Sequence, residues 1–260
     1  MAAGRAEAGY ASPPALDYPR AAMNVPAVAT ALVGALIAAA FATQLMQQYA
    51  ARRRHHALAW AVAIGLYALG MVALALGLAA GWSPLAFGVY WLAGALLAVA
   101  FLAVGQLQLL DARRAALWWT LGGRAVVWTG SALLLTPSDA AALTAATRAG
   151  EIPLGADVFG SDGLAYRILT PITMGGTLVV LLGSVWSGVR TRRFGVLLIA
   201  LGVFVSATSS SFVRAGYDVL VPVVLTLGVA IMYAGFRAAA KRPRPSSRAA
   251  RTEHDTRAGG

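Results

Sequence analysis

Seven runs of roughly 20 apolar residues recur along this chain. A run of that length has one stable fate in a hydrocarbon core about 30 Å thick: an α-helix that satisfies its own backbone. The runs are Val25–Gln47, Ala57–Ala79, Leu85–Leu110, Ala115–Leu135, Ile168–Trp186, Phe194–Phe212 and Leu220–Ala240. Short polar segments separate them. Arg52-Arg53-Arg54-His55-His56 follows the first, and Gly81-Trp82-Ser83-Pro84 makes a tight turn after the second. Asp111-Ala112-Arg113-Arg114, a longer loop over 137–167, Arg190-Thr191-Arg192-Arg193 and Arg214-Ala215-Gly216-Tyr217-Asp218 follow in order.

Composition supports the same reading. The 260 residues are 59% hydrophobic and 12% charged, whereas a soluble domain is about 45–50% apolar and about 25% charged. The expected fold is therefore an all-α, seven-transmembrane-helix bundle. There is no cysteine, which excludes disulfides, thiolate metal sites, cysteine nucleophiles and S-palmitoylation. The net charge is +11, carried by twenty arginines and the single Lys241. Such an excess points to nucleic acid, to an anionic membrane surface or to topology, and its placement decides among them.

With the N-terminus outside, the separators alternate so that Arg52, Arg53, Arg54, Arg113, Arg114, Arg190, Arg192, Arg193, Arg237 and the basic tail lie inside. Arg5, Arg20, Arg148, Arg167 and Arg214 lie outside. This asymmetry obeys the positive-inside rule and accounts for the charge without nucleic acid. The C-terminus is then cytoplasmic. Ala40-Phe41-Ala42 resembles a signal-peptidase site, but the arginines follow the run instead of preceding it, as suits an uncleaved anchor. Residues 1–23 read as a disordered extracellular leader, 24–240 as the transmembrane domain and 241–260 as a disordered basic tail that touches anionic lipid. Met23, just before the first run, is an alternative start. Trp82, Tyr90 and Trp91 on one side, and Trp60, Trp118, Trp119 and Trp186 on the other, fall where aromatic belts anchor at headgroup level.

Arg124 is the most unusual residue. It follows Arg114 by ten residues, about 15 Å along a helix at 1.5 Å per residue. A charge at that depth costs at least about 2.5–3.5 kcal/mol, so Arg124 is expected to face the bundle interior or a wet cavity. It is the centre of a candidate ligand site for an anion, a carboxylate or a lipid headgroup. Gln44 and Gln106 fall at matching depths in the inner half, and Ser206 opens a polar stretch that continues through Thr208, Ser209, Ser210 and Ser211. Gln44, Gln106 and Ser206 complete the candidate ligand-binding set, with interhelical hydrogen bonding as the plainer role of all three. Gly34-x-x-x-Ala38 and Gly175-Gly176 read as close-packing sites. Ser138 is the expected N-cap of a short helix over 138–150, followed by loop over 155–160. Adjacent His55 and His56 point in different directions on a helix and make a poor metal pair. No metal and no cofactor are expected.

Seven spans invite comparison with rhodopsin-like proteins, but the last run lacks the retinal lysine. The segments Arg53-Arg54-His55-His56-Ala57-Leu58-Ala59-Trp60, Gly81-Trp82-Ser83-Pro84, 89–97 and 227–236 resemble uncharacterised multi-spanning membrane proteins of GC-rich Gram-positive bacteria. That resemblance covers most of the spans and implies no particular activity.

The expectation is a multi-pass protein of the bacterial plasma membrane that is not an enzyme: no buried acid–base pair or triad is legible. It senses, binds or scaffolds within the membrane. The alternative is a carrier or binding protein for an amphiphilic or anionic ligand centred on Arg124. Expected partners are membrane lipids, with a protein partner or a homo-oligomer as further options and an unidentified small-molecule ligand, but not nucleic acid.

Overall fold

The computed structural model describes residues 20–191 and 194–240, and these are all-helical, without a strand. The elements are α1 (Arg20–Arg52), α2 (His55–Ala80), α3 (Pro84–Val89), a π-helical stretch (Tyr90–Leu97), α4 (Ala98–Leu110), a 3-10 turn (Ala112–Arg114), α5 (Ala115–Leu135), α6 (Ala140–Ala149), α7 (Gly155–Phe159), α8 (Leu164–Thr191), α9 (Phe194–Ala207), α10 (Ser209–Arg214) and α11 (Leu220–Ala240). Six helical stretches are long and apolar enough to cross a membrane: Val25–Arg52, His55–Ala80, Pro84–Leu110, Leu164–Arg190, Phe194–Arg214 and Leu220–Ala239. This is the architecture of a multi-pass membrane protein. Helix α5 is not among the six, because Arg124 and the glycines around it dilute its 21 residues.

Contacts between helices give the bundle two ends. Gly176 meets Val99 and Gly183 meets Gln106, so α8 runs parallel to the 84–110 stretch. The Thr226 hydroxyl donates to the Thr30 carbonyl, and Tyr233 stacks on Phe41, so α11 runs parallel to α1. Trp60 Nε1 donates to the Leu102 carbonyl while Gly70 meets Gly94, so α2 runs antiparallel to 84–110. Consequently Arg52, Arg53, Arg54, Arg113, Arg114, Arg190 and Arg237 gather at one end. Of the six described acids, only Asp111 joins them. Helix α5 starts at this basic end. It finishes at the other, where Thr136 Oγ1 accepts the Ala165 N–H at 3.2 Å.

The other end is closed by the 136–163 connection. Asp139, not Ser138, caps α6, accepting the N–H groups of Ala141 and Ala142, because its carboxylate sits one residue nearer the first turn. Residues 155–159 form the short helix α7 instead of the expected loop. Both lie on an aromatic cluster of Trp82, Phe87, Tyr90, Trp91 and Phe159. Trp82 is therefore buried beneath this cap and not at a headgroup belt; its Nε1 donates to the Glu151 carbonyl at 2.9 Å, and its backbone N–H donates to Thr147 Oγ1 at 2.8 Å. Trp186 at the basic end stays exposed, as an anchoring residue would.

Two pairs of glycines set a close helix contact. Gly195 faces Gly235, and Gly202 faces Gly228, across antiparallel α9 and α11. A Cβ on Gly202 would lie 2.5 Å from the Gly228 carbonyl oxygen, which backbone cannot relieve. Of the two motifs expected to pack closely, Gly34 does so, against Thr226 and Met71. Gly176 meets Val99, but Gly175 faces open space. The Phe194–Arg214 stretch breaks at Thr208, whose hydroxyl donates back to the Val205 carbonyl at 2.7 Å and ends α9. Local hydroxyl-to-backbone bonds of this kind compete with the helical ladder. Helix α1 begins at Arg20 and so takes in the last four residues of the expected leader; the remainder of the leader and the tail 241–260 lie outside the described residues.

Candidate functional site

The sequence-derived ligand set is not brought together. Arg124 is exposed on the outer face of α5, and among the described residues no carboxylate pairs with it. The expectation that it faces the bundle interior is thus corrected. The buried face of α5 is narrow, made of Gly122, Thr129 and Ala132, and an arginine does not fit among residues so small. Gln44 Nε2 on α1 donates to Tyr233 Oη on α11 at 2.5 Å. Gln106 on α4 is buried against Gly183, and its Oε1 accepts the Ser184 hydroxyl on α8 at 3.4 Å. Ser206 Oγ on α9 packs against Gly228 on α11. Gln44, Gln106 and Ser206 thus sit in three separate helix contacts; the first two bond between helices, as polar side chains between spans do.

A different constellation forms at the basic end. Arg53 adopts φ 50°, a left-handed conformation that lets the chain reverse between α1 and α2 within two residues. Helix α2 then starts at His55 with Arg54 at its N-cap, and no side chain accepts from its first-turn N–H groups. No acid lies in that first turn. The positive end of a 26-residue helix therefore stands uncompensated. Opposite it, α4 ends and the 3-10 turn leads into α5. Between them is a cleft of about 360 Å³ lined by Arg53, Arg54, His55, His56, Gln108, Leu109, Ala112 and Ala115.

Gln108 is the informative residue of this cleft. It is 2% exposed, and among the described residues neither its Oε1 nor its Nε2 has a hydrogen-bond partner. A buried amide left unbonded costs about 1–3 kcal/mol, so such groups in native proteins call for a reason. The nearest acid is already engaged: Asp111 accepts the Arg113 N–H and pairs with Arg114 at 3.5 Å. Arg53 stacks on Tyr49 with its guanidinium carbon 5.7 Å from the ring centre, and His56 meets the Trp60 ring edge-on at 5.8 Å. These contacts hold Arg53 and His56 beside the opening. Guanidinium groups, imidazoles and a helix N-terminus are the kinds of group that bind oxyanions in proteins. Sequence reading missed this cleft because it weighed His55 and His56 only as a metal pair and counted the arginines only as topology signals. Adjacent basic residues directly before a long helix lacking an acidic first turn were the available cue.

The opposite end carries a titratable contact. Asp218 Oδ1 accepts the Ile152 N–H at 3.2 Å, tying the α10–α11 turn to the cap. Burial raises the Asp218 pKa above the usual carboxylate range; the Ile152 bond opposes this, and Glu151 adds to it. A carboxyl whose pKa is raised on folding holds its proton more tightly in the folded state. Its contribution is therefore lost as pH rises from the unfolded value through the folded one. The melting temperature of wild type should fall over that window more than that of Asp218→Asn, which keeps an acceptor for Ile152 but cannot ionise. Parallel pH profiles for the two proteins would contradict this.

No protein-family model, curated protein or solved structure matches this chain.

Proposed function

We propose that this is a non-enzymatic binding protein of the bacterial plasma membrane, and that it holds the anionic head of an amphiphile in the basic-end cleft. The carrying observation is Gln108, buried and without a hydrogen-bond partner among the described residues, on the wall of a cleft whose other polar side chains are Arg53, Arg54, His55 and His56. The cleft lies where the first two spans meet, so an amphiphile would place its head among Arg53, Arg54 and Gln108 and its tail along the apolar helix surfaces. This relocates the anionic-ligand reading from Arg124 to the α1–α2 junction. The chemistry of the lining favours binding: guanidinium, imidazole and amide groups recognise phosphate or carboxylate oxygens.

The topology we propose has seven crossings, with the N-terminus outside and the C-terminus cytoplasmic. Its support is the path of α5 from the basic end to the capped end, together with the gathering of arginines at one end. The cleft would then open on the cytoplasmic leaflet.

The test uses full-length protein in lipid nanodiscs of phosphatidylcholine with a minority of phosphatidylglycerol, released into a native mass spectrometer. Wild type should retain the anionic lipid. Gln108→Leu changes no charge and should lose most of that retention. It should also melt higher, because an unbonded buried amide has been removed, a gain of about 1–2 kcal/mol. If Gln108→Leu is stabilised but retains the anionic lipid as wild type does, the cleft is not the site.

A further inference from the structure

We infer that the outer face of α5 is a docking surface for a membrane-spanning helix of another protein that carries a carboxylate near its middle. Leu117, Leu121, Arg124, Trp128, Ser131 and Leu135 follow one another at spacings of four and three residues and are all exposed. That is the spacing of a coiled-coil seam, which buries itself against one partner helix crossing at a shallow angle. The seam lies on the outside of the bundle, and its central residue is a cation without an ion-pair partner among the described residues. In a helix that crosses the membrane, that cation needs a counter-charge at its own depth.

The described residues do not supply this counter-charge. Its described acids, Asp111, Asp139, Glu151, Asp157, Asp162 and Asp218, all stand at helix ends or in connections. A second copy fails for the same reason, and pairing α5 with α5 about a twofold axis along the membrane normal would set Arg124 against Arg124. Charge complementarity therefore selects a different protein, with Asp or Glu in mid-span. Trp128, one turn from Arg124, supplies the large apolar contact that often anchors an interface beside an arginine.

This inference rests on the proposed crossing of α5, and the test separates the two. A photo-reactive phenylalanine at Leu121, in full-length protein in its native membrane, should cross-link to a span containing Asp or Glu. Arg124→Glu should reduce the yield at least tenfold without changing the melting temperature of the purified protein. Replacing the partner's acid with arginine should restore the yield in the Arg124→Glu background. Cross-links only to lipid, only to a second copy or to a span without an acid would overturn the proposal, as would a yield indifferent to Arg124→Glu. A cysteine at position 124 reports separately on the crossing. Protection from water-soluble maleimide on both sides supports the buried depth the inference needs, whereas rapid labelling removes its premise whatever the cross-linker gives.

Discussion

Gly202→Leu should prevent α9 from docking on α11, and Gly228→Leu should do the same from the other side. In both cases the new side chain meets backbone: the Gly228 carbonyl and the Met232 N–H in the first, the Gly202 carbonyl and Ser206 in the second. Overpacking against movable side chains costs about 1–3 kcal/mol, and here there is little to move, so the upper end of that range or more is expected. Total stabilities of about 5–15 kcal/mol leave little room for two such losses. The double variant should fail to give a monodisperse species in mild detergent. Gly123→Ala is the control. Position 123 faces open space in the middle of α5, where alanine is favoured by about 0.5–1 kcal/mol over glycine. Its melting temperature should stay level or rise. A Gly202→Leu protein that melts like wild type would show that α9 and α11 do not approach this closely.

A second all-or-none result concerns sidedness. The chain has no cysteine, so a single introduced thiol reports without background. Ala145→Cys on α6 should react with an impermeant maleimide in intact cells. Ala51→Cys, at the end of α1, should react only after the membrane is opened. Both alanines are exposed, and they lie at opposite ends of the bundle. Labelling of both from the same side would mean that α5 does not cross, and would leave six spans.

Much of the architecture was legible in the sequence. The 115–135 and 220–240 helices have the expected bounds, and the third span ends at Leu110 as expected. Where expectation and structure part, the cause is local chemistry. Thr208 turns its hydroxyl back on the backbone and splits the Phe194–Arg214 stretch, and Asp139 outcompetes Ser138 as a cap. The candidate site was less legible. Gln44, Gln106 and Ser206 share a depth range or a polar neighbourhood in sequence, but depth says nothing of azimuth: Gln44 and Ser206 meet α11 at different points, and Gln106 faces α8. Arg124 was expected inside on the cost of burying a charge in lipid. The small residues on the packed face of α5 show why it points the other way.

Apolar length and arginine spacing are properties of the chain itself. They dictate helices of membrane-crossing length, their order, and the end at which positive charge accumulates, because each depends only on the free energy of transferring a segment out of water. Which glycines meet across α9 and α11, which glutamine loses all its partners, and which face of α5 is left uncovered depend on the rotation of each helix about its axis. That rotation is set by pairwise packing between segments far apart in sequence, and only the tertiary structure decides it.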